Sequence, residues 1–119
     1  MAKHYGLTLQ LRDDEEAIAL YKEHHQRVWP EVLAELRSVG IERLHIFLLG
    51  RRMFQFLEAN DAFDPARDLP RLNDNPRYAE WDALMRTMQE QVPEAGDDGW
   101  WSLMEEVFDL QWPQFSPAA

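Results

Sequence analysis

The sequence contains no cysteine among its 119 residues. This absence excludes disulfide bonds, thiol nucleophiles and cysteine-ligated zinc sites, and it fits a protein of a reducing compartment. No apolar run approaches the roughly 18 residues that a membrane-spanning helix needs. The sequence begins MAKHYGLTLQ, without the apolar stretch that marks a signal peptide. We therefore expect a cytoplasmic protein that does not enter a membrane.

Basic residues are also scarce, because 12 lysines and arginines stand against 22 aspartates and glutamates, a net charge of −10. An acidic surface repels phosphate backbones and anionic lipids, so we expect neither nucleic acid nor a membrane as a partner. The hydrophobic fraction of 45% is too high for a disordered chain. The length predicts a single domain over residues 1–110, followed by a loosely ordered, proline-containing tail over residues 111–119.

The hydrophobic pattern predicts four strands and two helices. Apolar and polar residues alternate in the first predicted strand, whereas the next two strands form a hairpin that is apolar on both faces. In the last predicted strand the residues from Leu103 to Leu110 point alternately to two sides, and in each predicted helix apolar residues recur every three or four positions. The predicted strands span 5–11, 41–49, 53–59 and 100–110; one helix runs from Glu15 to a stop at Gly40 and another spans 76–91, with loops over 60–75 and 93–99. This order is the ferredoxin-like β-α-β-β-α-β arrangement of an α+β fold.

Pro30 interrupts the first predicted helix. It has no backbone N–H to donate, and in a continuous helix its ring would clash with the carbonyl of Gln26. We expect either a kink at this point or a new helix that starts with Pro30 in its first position.

Both faces of the predicted hairpin are apolar. Leu44, Ile46 and Leu48 point to one side, and Phe47 and Leu49 point to the other. Helices cover only one face of such a sheet, so the other needs a separate cover. We therefore expect a homodimer whose two sheets pack face to face.

Three side chains in the first helix recur at intervals of four, namely Tyr21, His25 and Trp29. On a continuous helix they form one slanting row within the apolar stripe, whereas His24 turns about 100° away towards solvent. His25 is then either a core histidine with both ring nitrogens satisfied or a general acid or base near neutral pH. Tyr21 and Trp29 are each, taken alone, typical core residues.

A second group of candidates lies in the later helix, where Trp81, Asp82 and Met85 occur together. Trp81 and Met85 fit ordinary packing of an amphipathic helix, and Asp82 fits a solvated carboxylate. In the functional interpretation, the Trp81 ring offers a platform for the apolar face of a sugar while Asp82 accepts hydrogen bonds from its hydroxyl groups.

We expect no metal site, because the histidines show neither a spacing of four residues nor an HExxH pattern; they are His4, His24, His25 and His45. The residues alone leave two functions open. One is proton transfer on a small neutral polyol, and the other is a plain ligand pocket.

The chain resembles the L-rhamnose mutarotases, a family of small sugar-epimerising proteins, over about residues 5–110. The most specific shared motif surrounds the histidine and reads Tyr21-x-x-x-His25-x-x-x-Trp29-Pro30-Glu31. Three further motifs follow in the same order, namely Ser38-x-Gly40, Trp81-x-x-x-Met85 and Glu106-Val107-Phe108-x-Leu110. Several separated motifs in order are more specific than one short pattern.

This resemblance implies a dimeric α/β barrel built from ferredoxin-like subunits. It also implies interconversion of the α and β anomers of a 6-deoxy-L-hexose without cofactor or metal. By the resemblance His25 is the proton donor, and Tyr21 and Trp81 bind the sugar. We count Trp29, from the same motif, as a further sugar-binding candidate.

Two positions depart from the family pattern. Leu44 stands where the rhamnose enzymes carry a tyrosine, and Asp82 stands where they carry a second tryptophan. Both positions belong to the expected substrate site, so the departures leave L-fucose and L-rhamnose open as substrates, with L-fucose preferred. The competing functions are a non-catalytic sugar-binding dimer and a monooxygenase or haem-degrading enzyme on the same dimeric barrel.

Overall fold

The computed structural model describes residues 2–97 and 99–117. Asp98 of the predicted loop over 93–99, and Ala118 and Ala119 of the predicted tail, lie outside the described residues, as does Met1. The described residues form one antiparallel sheet with four helices. No helix among them has the length and apolar character needed to cross a membrane.

The sheet has five strands, and β1 lies inside it. The strands are β1 (Lys3–Leu11), β2 (Ile41–Leu49), β3 (Arg52–Ala59), β4 (Gln89–Glu90) and β5 (Ser102–Leu103). The helices are α1 (Glu15–His24), α2 (Pro30–Ser38), α3 (Pro65–Arg71) and α4 (Pro76–Arg86). The sheet order is β2-β3-β1-β4, and β5 pairs separately with β1. This order confirms the predicted α+β class and its ferredoxin-like core.

The register of the central strands builds the core. Leu9 lies opposite Met53 and Leu7 opposite Gln55 in the β1–β3 ladder. Because side chains alternate along a strand, these residues face the helices together with Leu11. Leu9, Leu11 and Met53 are fully buried. The predicted alternation is therefore correct for this face of the sheet.

The first predicted helix is two helices, so the restart at Pro30 is correct and the kink is not. Trp29 has extended backbone, as expected for a residue before proline, and Pro30 occupies the first turn of α2. His25 caps the C-terminus of α1. The predicted helical row of Tyr21, His25 and Trp29 is consequently wrong at its third member. Gly40 follows the end of α2 with a φ of 98°, as predicted.

The predicted loop over 60–75 is wrong, because it contains α3. Asp64 caps this helix by accepting a hydrogen bond from the backbone N–H of Ala66 at 3.0 Å, and Pro65 stands in the first turn. The buried Asp68 carboxylate then accepts bonds from the Arg67 side chain and from the N–H of Asp64. A cap, a proline and an ion pair thus stabilise a helix that has little apolar periodicity.

The last predicted helix and strand are both too long. Helix α4 ends at Arg86 rather than at residue 91, because Gln89 and Glu90 pair with β1 as the short strand β4. The strand predicted over 100–110 reduces to β5. Beyond β5, Met104 N–H still donates to the Gly6 carbonyl at 2.8 Å. Farther on, the Phe108 ring packs on Trp112 and Phe115, near the end of the described residues.

The helices cover one face of the sheet only. On the opposite face Phe47 is 58% exposed and Leu49 86% exposed, whereas Leu44, Ile46 and Leu48 on the helix side are partly buried. The predicted assignment of these five side chains to opposite faces is therefore correct. We call the face that carries Phe47, Leu49, Phe54 and Phe56 the outer face.

Candidate active site

A cavity of about 550 Å³ lies between the sheet and helices α1, α2 and α4. Five of the six predicted site residues line it, namely Tyr21, His25, Leu44, Trp81 and Asp82. They converge from α1, its C-terminal cap, β2 and α4. The sixth, Trp29, is not among the lining residues. Most of the cavity wall is apolar, with a few polar groups, as is usual for a small-molecule site.

The backbone of α1 fixes the tautomer of the neutral His25 ring. Its Nδ1 lies 2.9 Å from the carbonyl oxygen of Tyr21. Because a carbonyl only accepts, Nδ1 carries the hydrogen and donates it. The other nitrogen, Nε2, is then the atom that can exchange a proton with a ligand. The local cause of this arrangement is the end of α1 at His24, which leaves the Tyr21 carbonyl near the terminus of the helix.

Burial lowers the pKa of His25 below its ordinary value of 6.5. The hydrogen bond to the Tyr21 carbonyl opposes this change, and the positive charge of a protonated His24 adds to it. A lowered pKa makes the imidazolium form a stronger acid and the neutral form the major one at pH 7. Such a group can donate and recover a proton within one reaction cycle.

Tyr21 lies beside His25, with a ring-to-ring distance of 4.2 Å. Burial raises the pKa of the Tyr21 phenol to about 12, although a hydrogen bond from Gln89 partly offsets the change. The Nε2 atom of Gln89 lies 3.5 Å from the phenol oxygen. The phenol is therefore neutral at physiological pH and acts through its hydrogen bonds.

Trp81 forms part of the cavity wall, and other rings fix its orientation. The His25 ring meets it edge to face at a centroid distance of 5.6 Å. Trp29 packs against Trp81 at 5.2 Å, and the guanidinium of Arg77 lies 3.7 Å from the centre of the Trp29 ring. Trp29 thus supports Trp81 from outside the cavity. His24 is also partly buried against Trp81, so its predicted orientation towards solvent is wrong.

Asp82 reaches the cavity from α4 and is held by an ion pair. Its Oδ2 accepts a hydrogen bond from Nε of Arg86 at 2.9 Å, one helical turn away. Leu44 contributes to the wall from β2, where it continues the apolar row of Ile46 and Leu48. One side of the cavity is therefore charged and another is smooth and apolar.

Two buried glutamines in the cavity wall escape the sequence analysis. Gln55 is 7% exposed and Gln89 is 5% exposed. A signal for Gln55 exists in the sequence, because it occupies the inward-facing position between Met53 and Leu57 in β3. Gln89 gives no such signal, since its side chain reaches Tyr21 only through the pairing of β4 with β1.

One group of side chains in the described residues has the composition of a metal site, and it lies away from the cavity. His4 contacts Glu106, and its Nε2 lies 3.6 Å from Oδ2 of Asp109. His4 is about a hundred residues away from the two carboxylates in sequence, so spacing rules cannot detect the group. Within the cavity the polar and aromatic groups are one imidazole, two phenols, one carboxylate, one lysine amine, three amides and two indoles. Such a set suits acid-base chemistry on a polar, uncharged ligand.

Comparison with known proteins identifies relatives over nearly the whole chain. A family model described as L-rhamnose mutarotase matches residues 4–110. The chain is 42% identical over 114 residues to a UPF0734 protein of Dictyostelium discoideum, covering 92% of this chain and 91% of that protein. It is 36% identical over 104 residues to an L-fucose mutarotase of Xanthomonas campestris, covering 86% of this chain and 83% of that protein.

Solved structures share the fold at lower sequence identity. An L-rhamnose mutarotase from Formosa agariphila superposes with a TM-score of 0.66 at 23% identity, over 90% of this chain and 97% of that one. Tetracenomycin F2 cyclase from Streptomyces glaucescens, a type-II polyketide cyclase, gives 0.64 at 17% identity, over 93% of this chain and 99% of that one. At these identities the likeness concerns the fold, which carries more than one chemistry.

Proposed function

The chain belongs to the L-rhamnose mutarotase family, and we propose from this membership that it interconverts the α and β anomers of a 6-deoxy-L-hexose. The observation that carries the proposal is the environment of His25. Its Nδ1 is occupied by the Tyr21 carbonyl at 2.9 Å, so Nε2 serves the ligand. The ring also belongs to the wall of a cavity large enough for a monosaccharide.

The proposed reaction is ring opening followed by ring closure. The His25 imidazolium gives its proton to the ring oxygen while a base removes the proton of the anomeric hydroxyl. The bond between C1 and the ring oxygen breaks, and C1 becomes an aldehyde. After rotation about the C1–C2 bond, the neutral His25 recovers its proton from the former ring hydroxyl. That oxygen closes on the opposite face of C1, and the base returns its proton to the carbonyl oxygen.

The other lining residues have binding roles in this proposal. Trp81 presents an aromatic surface to the apolar face of the sugar. Tyr21 hydrogen-bonds a sugar oxygen, and Asp82 accepts from a hydroxyl or acts as the base. Its Oδ2 accepts a hydrogen bond from Nε of Arg86, which fixes the direction of the carboxylate. Trp29 acts indirectly, by holding Trp81.

We propose L-fucose as the preferred sugar over L-rhamnose. The two sugars differ in the orientation of the hydroxyl groups at C2 and C4. A cavity that combines the apolar Leu44 with the carboxylate of Asp82 offers its hydrogen bonds unevenly around the ring. The 36% identity to an L-fucose mutarotase supports the same choice.

We also propose that the protein is a cytoplasmic homodimer. The exposed aromatic and aliphatic residues of the outer face support the dimer, because monomers rarely leave such a continuous apolar surface in water. The absence of cysteine from the sequence supports a reducing compartment.

Proton NMR magnetisation exchange tests the activity. The anomeric signals of L-fucose and L-rhamnose are followed with wild-type protein, with His25→Asn and with His24→Asn as a neighbouring control. We expect faster exchange for at least one sugar, with the larger effect on L-fucose. His25→Asn should lose on the order of 10²–10⁴-fold of the acceleration and stay folded by circular dichroism. His24 does not line the cavity, so its variant should keep most of the activity.

The same experiment separates the alternatives. Exchange by His25→Asn at the wild-type rate would contradict the assigned proton donor. Quenching of tryptophan fluorescence by a sugar, without acceleration of exchange, would point to a non-catalytic binding protein. Exchange that is faster for L-rhamnose than for L-fucose would overturn the proposed substrate preference.

A further inference from the structure

Gln89 connects the cavity to a tryptophan outside the predicted site. Its side chain is buried at the start of β4, between Tyr21 and Trp100. Nε1 of Trp100 lies 2.9 Å from Oε1 of Gln89. On the other side of the same amide, Nε2 of Gln89 lies 3.5 Å from the phenol oxygen of Tyr21. The three side chains thus form one hydrogen-bonded chain.

The direction of every bond in this chain is fixed by Trp100. An indole nitrogen only donates, so the oxygen of the Gln89 amide must face it. The NH₂ group of Gln89 then faces Tyr21, and the phenol oxygen accepts from it. The Tyr21 proton therefore has to be donated elsewhere. In the described part of the chain the phenol makes no other hydrogen bond, and Tyr21 lines the cavity.

Trp100 is held in place by contacts with Arg86 and Gln91. The guanidinium of Arg86 lies 4.7 Å from the centre of the Trp100 ring, and its Nε donates to Asp82. The Trp100 carbonyl also accepts from the side chain of Gln91 at 3.3 Å. A continuous series of contacts therefore joins Asp82 to Tyr21 without passing through the cavity.

We propose that Gln89 is a positioning residue that makes Tyr21 a hydrogen-bond donor to the sugar. This inference rests on the proposed mutarotase function and adds a specific role for one buried amide. The Gln89 amide accepts from the indole through its oxygen and donates to the phenol through its nitrogen. An ionised carboxylate accepts on both sides and would turn the Tyr21 proton away from the cavity.

The decisive variant is Gln89→Glu, which keeps the shape of the side chain. While its carboxyl group is ionised, this variant still accepts from Trp100 but also accepts from Tyr21. We expect roughly a tenfold loss in kcat/KM for anomer exchange, equal to the loss in Tyr21→Phe, because one donated hydrogen bond is removed. In the Tyr21→Phe background, Gln89→Glu should cause little further loss, since both changes remove the same bond.

The pH profile distinguishes positioning from simple structural damage. When its carboxyl group is protonated, the Gln89→Glu variant can again donate to Tyr21, so its activity relative to wild type should recover as the pH falls. The Gln89→Met variant cannot donate at any pH, and its ratio to wild type should stay low and constant. Gln111→Glu adds the same charge at an exposed site and should keep a ratio near one.

A second readout does not depend on activity. In protein labelled with ¹³C at the tyrosine ζ carbon, the Tyr21 signal of Gln89→Glu should show a titration step in addition to the one that the adjacent His25 ring causes in wild type. The signal is assigned through its loss in Tyr21→Phe. Absence of this additional step, or an activity ratio that does not change with pH, would overturn the role of Gln89. If wild type accelerates neither sugar, the proposed function fails, and the ¹³C step still decides the direction of the Tyr21 bond.

Discussion

At the scale of single residues, the state of His25 predicts how the reaction depends on pH. Burial lowers its pKa in the folded protein, so the imidazolium fraction increases as the pH falls through and below 6.5. A proton donor works in that form, and kcat/KM for anomer exchange should therefore rise from pH 8 towards acid and level off below the lowered pKa. The measurement is NMR exchange across this range, corrected for the uncatalysed rate in buffer alone.

The opposite dependence of kcat/KM on pH would show that His25 is the base of the first step. In that case activity would fall on acidification, since the neutral ring is the form that accepts a proton. His25→Asn serves as the control, because its residual activity should lose this pH dependence. Comparing ratios to the variant also removes any effect of pH on the sugar itself.

The sequence brings most of the predicted site residues to the cavity wall, because their positions are set by spacing within single helices. Tyr21 and His25 remain together since four residues span one turn, and Trp81 and Asp82 reach the cavity from one helix. Trp29 does not line the cavity, because Pro30 starts a new helix and the chain changes direction before it. Gln89 could not be predicted, since its role depends on a pairing between strands distant in sequence.

At the scale of elements, two glycines with positive φ differ in how closely their turns are packed, and substitution by alanine should reveal the difference. Gly40 ends α2 with a φ of 98°, and a Cβ there would come within 2.3 Å of the Asn60 side chain. Gly50 in the β2–β3 turn has a φ of 62° and open space around it. Gly50→Ala should lower the free energy of unfolding by about 1 kcal/mol, from backbone strain alone. Gly40→Ala should lower it by about 3 kcal/mol, because a steric clash is added.

Urea unfolding followed by tryptophan fluorescence measures both changes. Equal losses for the two variants would mean that Asn60 moves aside without cost. The backbone argues against this, since the Asn60 N–H donates to the Gly40 carbonyl at 2.9 Å and its side chain accepts from Ala62. The turn after α2 and the turn before α3 are therefore one packed unit.

Helix α3 is the element that hydrophobic pattern cannot predict, and its ion pairs predict how it responds to acid. Hydrogen bonds from the Arg67 side chain and the Asp64 N–H hold the pKa of Asp68 well below its usual range. A carboxylate with a depressed pKa stabilises the fold above its unfolded pKa, and this contribution is lost as the pH falls towards the folded pKa. Asp68→Asn should therefore lower Tm at pH 7, and the difference from wild type should shrink below about pH 4.

Thermal unfolding across that pH range gives the comparison. Asp74→Asn is the matched control, because Asp74 is exposed and lies just beyond the same helix. Its effect on Tm should be small at every pH. A Tm difference for Asp68→Asn that stays constant down to pH 2 would contradict the electrostatic origin of the stabilisation.

At the scale of the whole molecule, the sequence predicts the faces of the sheet better than its edges. The alternation in β2 and β3 correctly separates the residues that face the helices from those of the outer face. The last predicted strand is too long, because residues 104–110 include several apolar side chains but are not paired with the sheet over their length. Val107, Phe108 and Leu110 are exposed there, and they line a cavity together with Phe54 and Phe56 of the outer face. A hydrophobic pattern indicates which side chains share a face of a strand. It does not indicate whether a neighbouring strand is available to pair with that segment.

The exposed apolar side chains predict that two copies associate through the outer face. Sedimentation equilibrium should give twice the 14.1 kDa of one chain for the wild type. Phe47→Asp puts a charge into the middle of this face and should produce monomers, because an unpaired charge in an apolar interface is strongly disfavoured. Leu20→Asp makes the same kind of change at an exposed position on α1 and should stay dimeric. A wild type that sediments as a single chain at micromolar concentration would refute the dimer, and dissociation of the Leu20 variant alone would locate the interface on the helices.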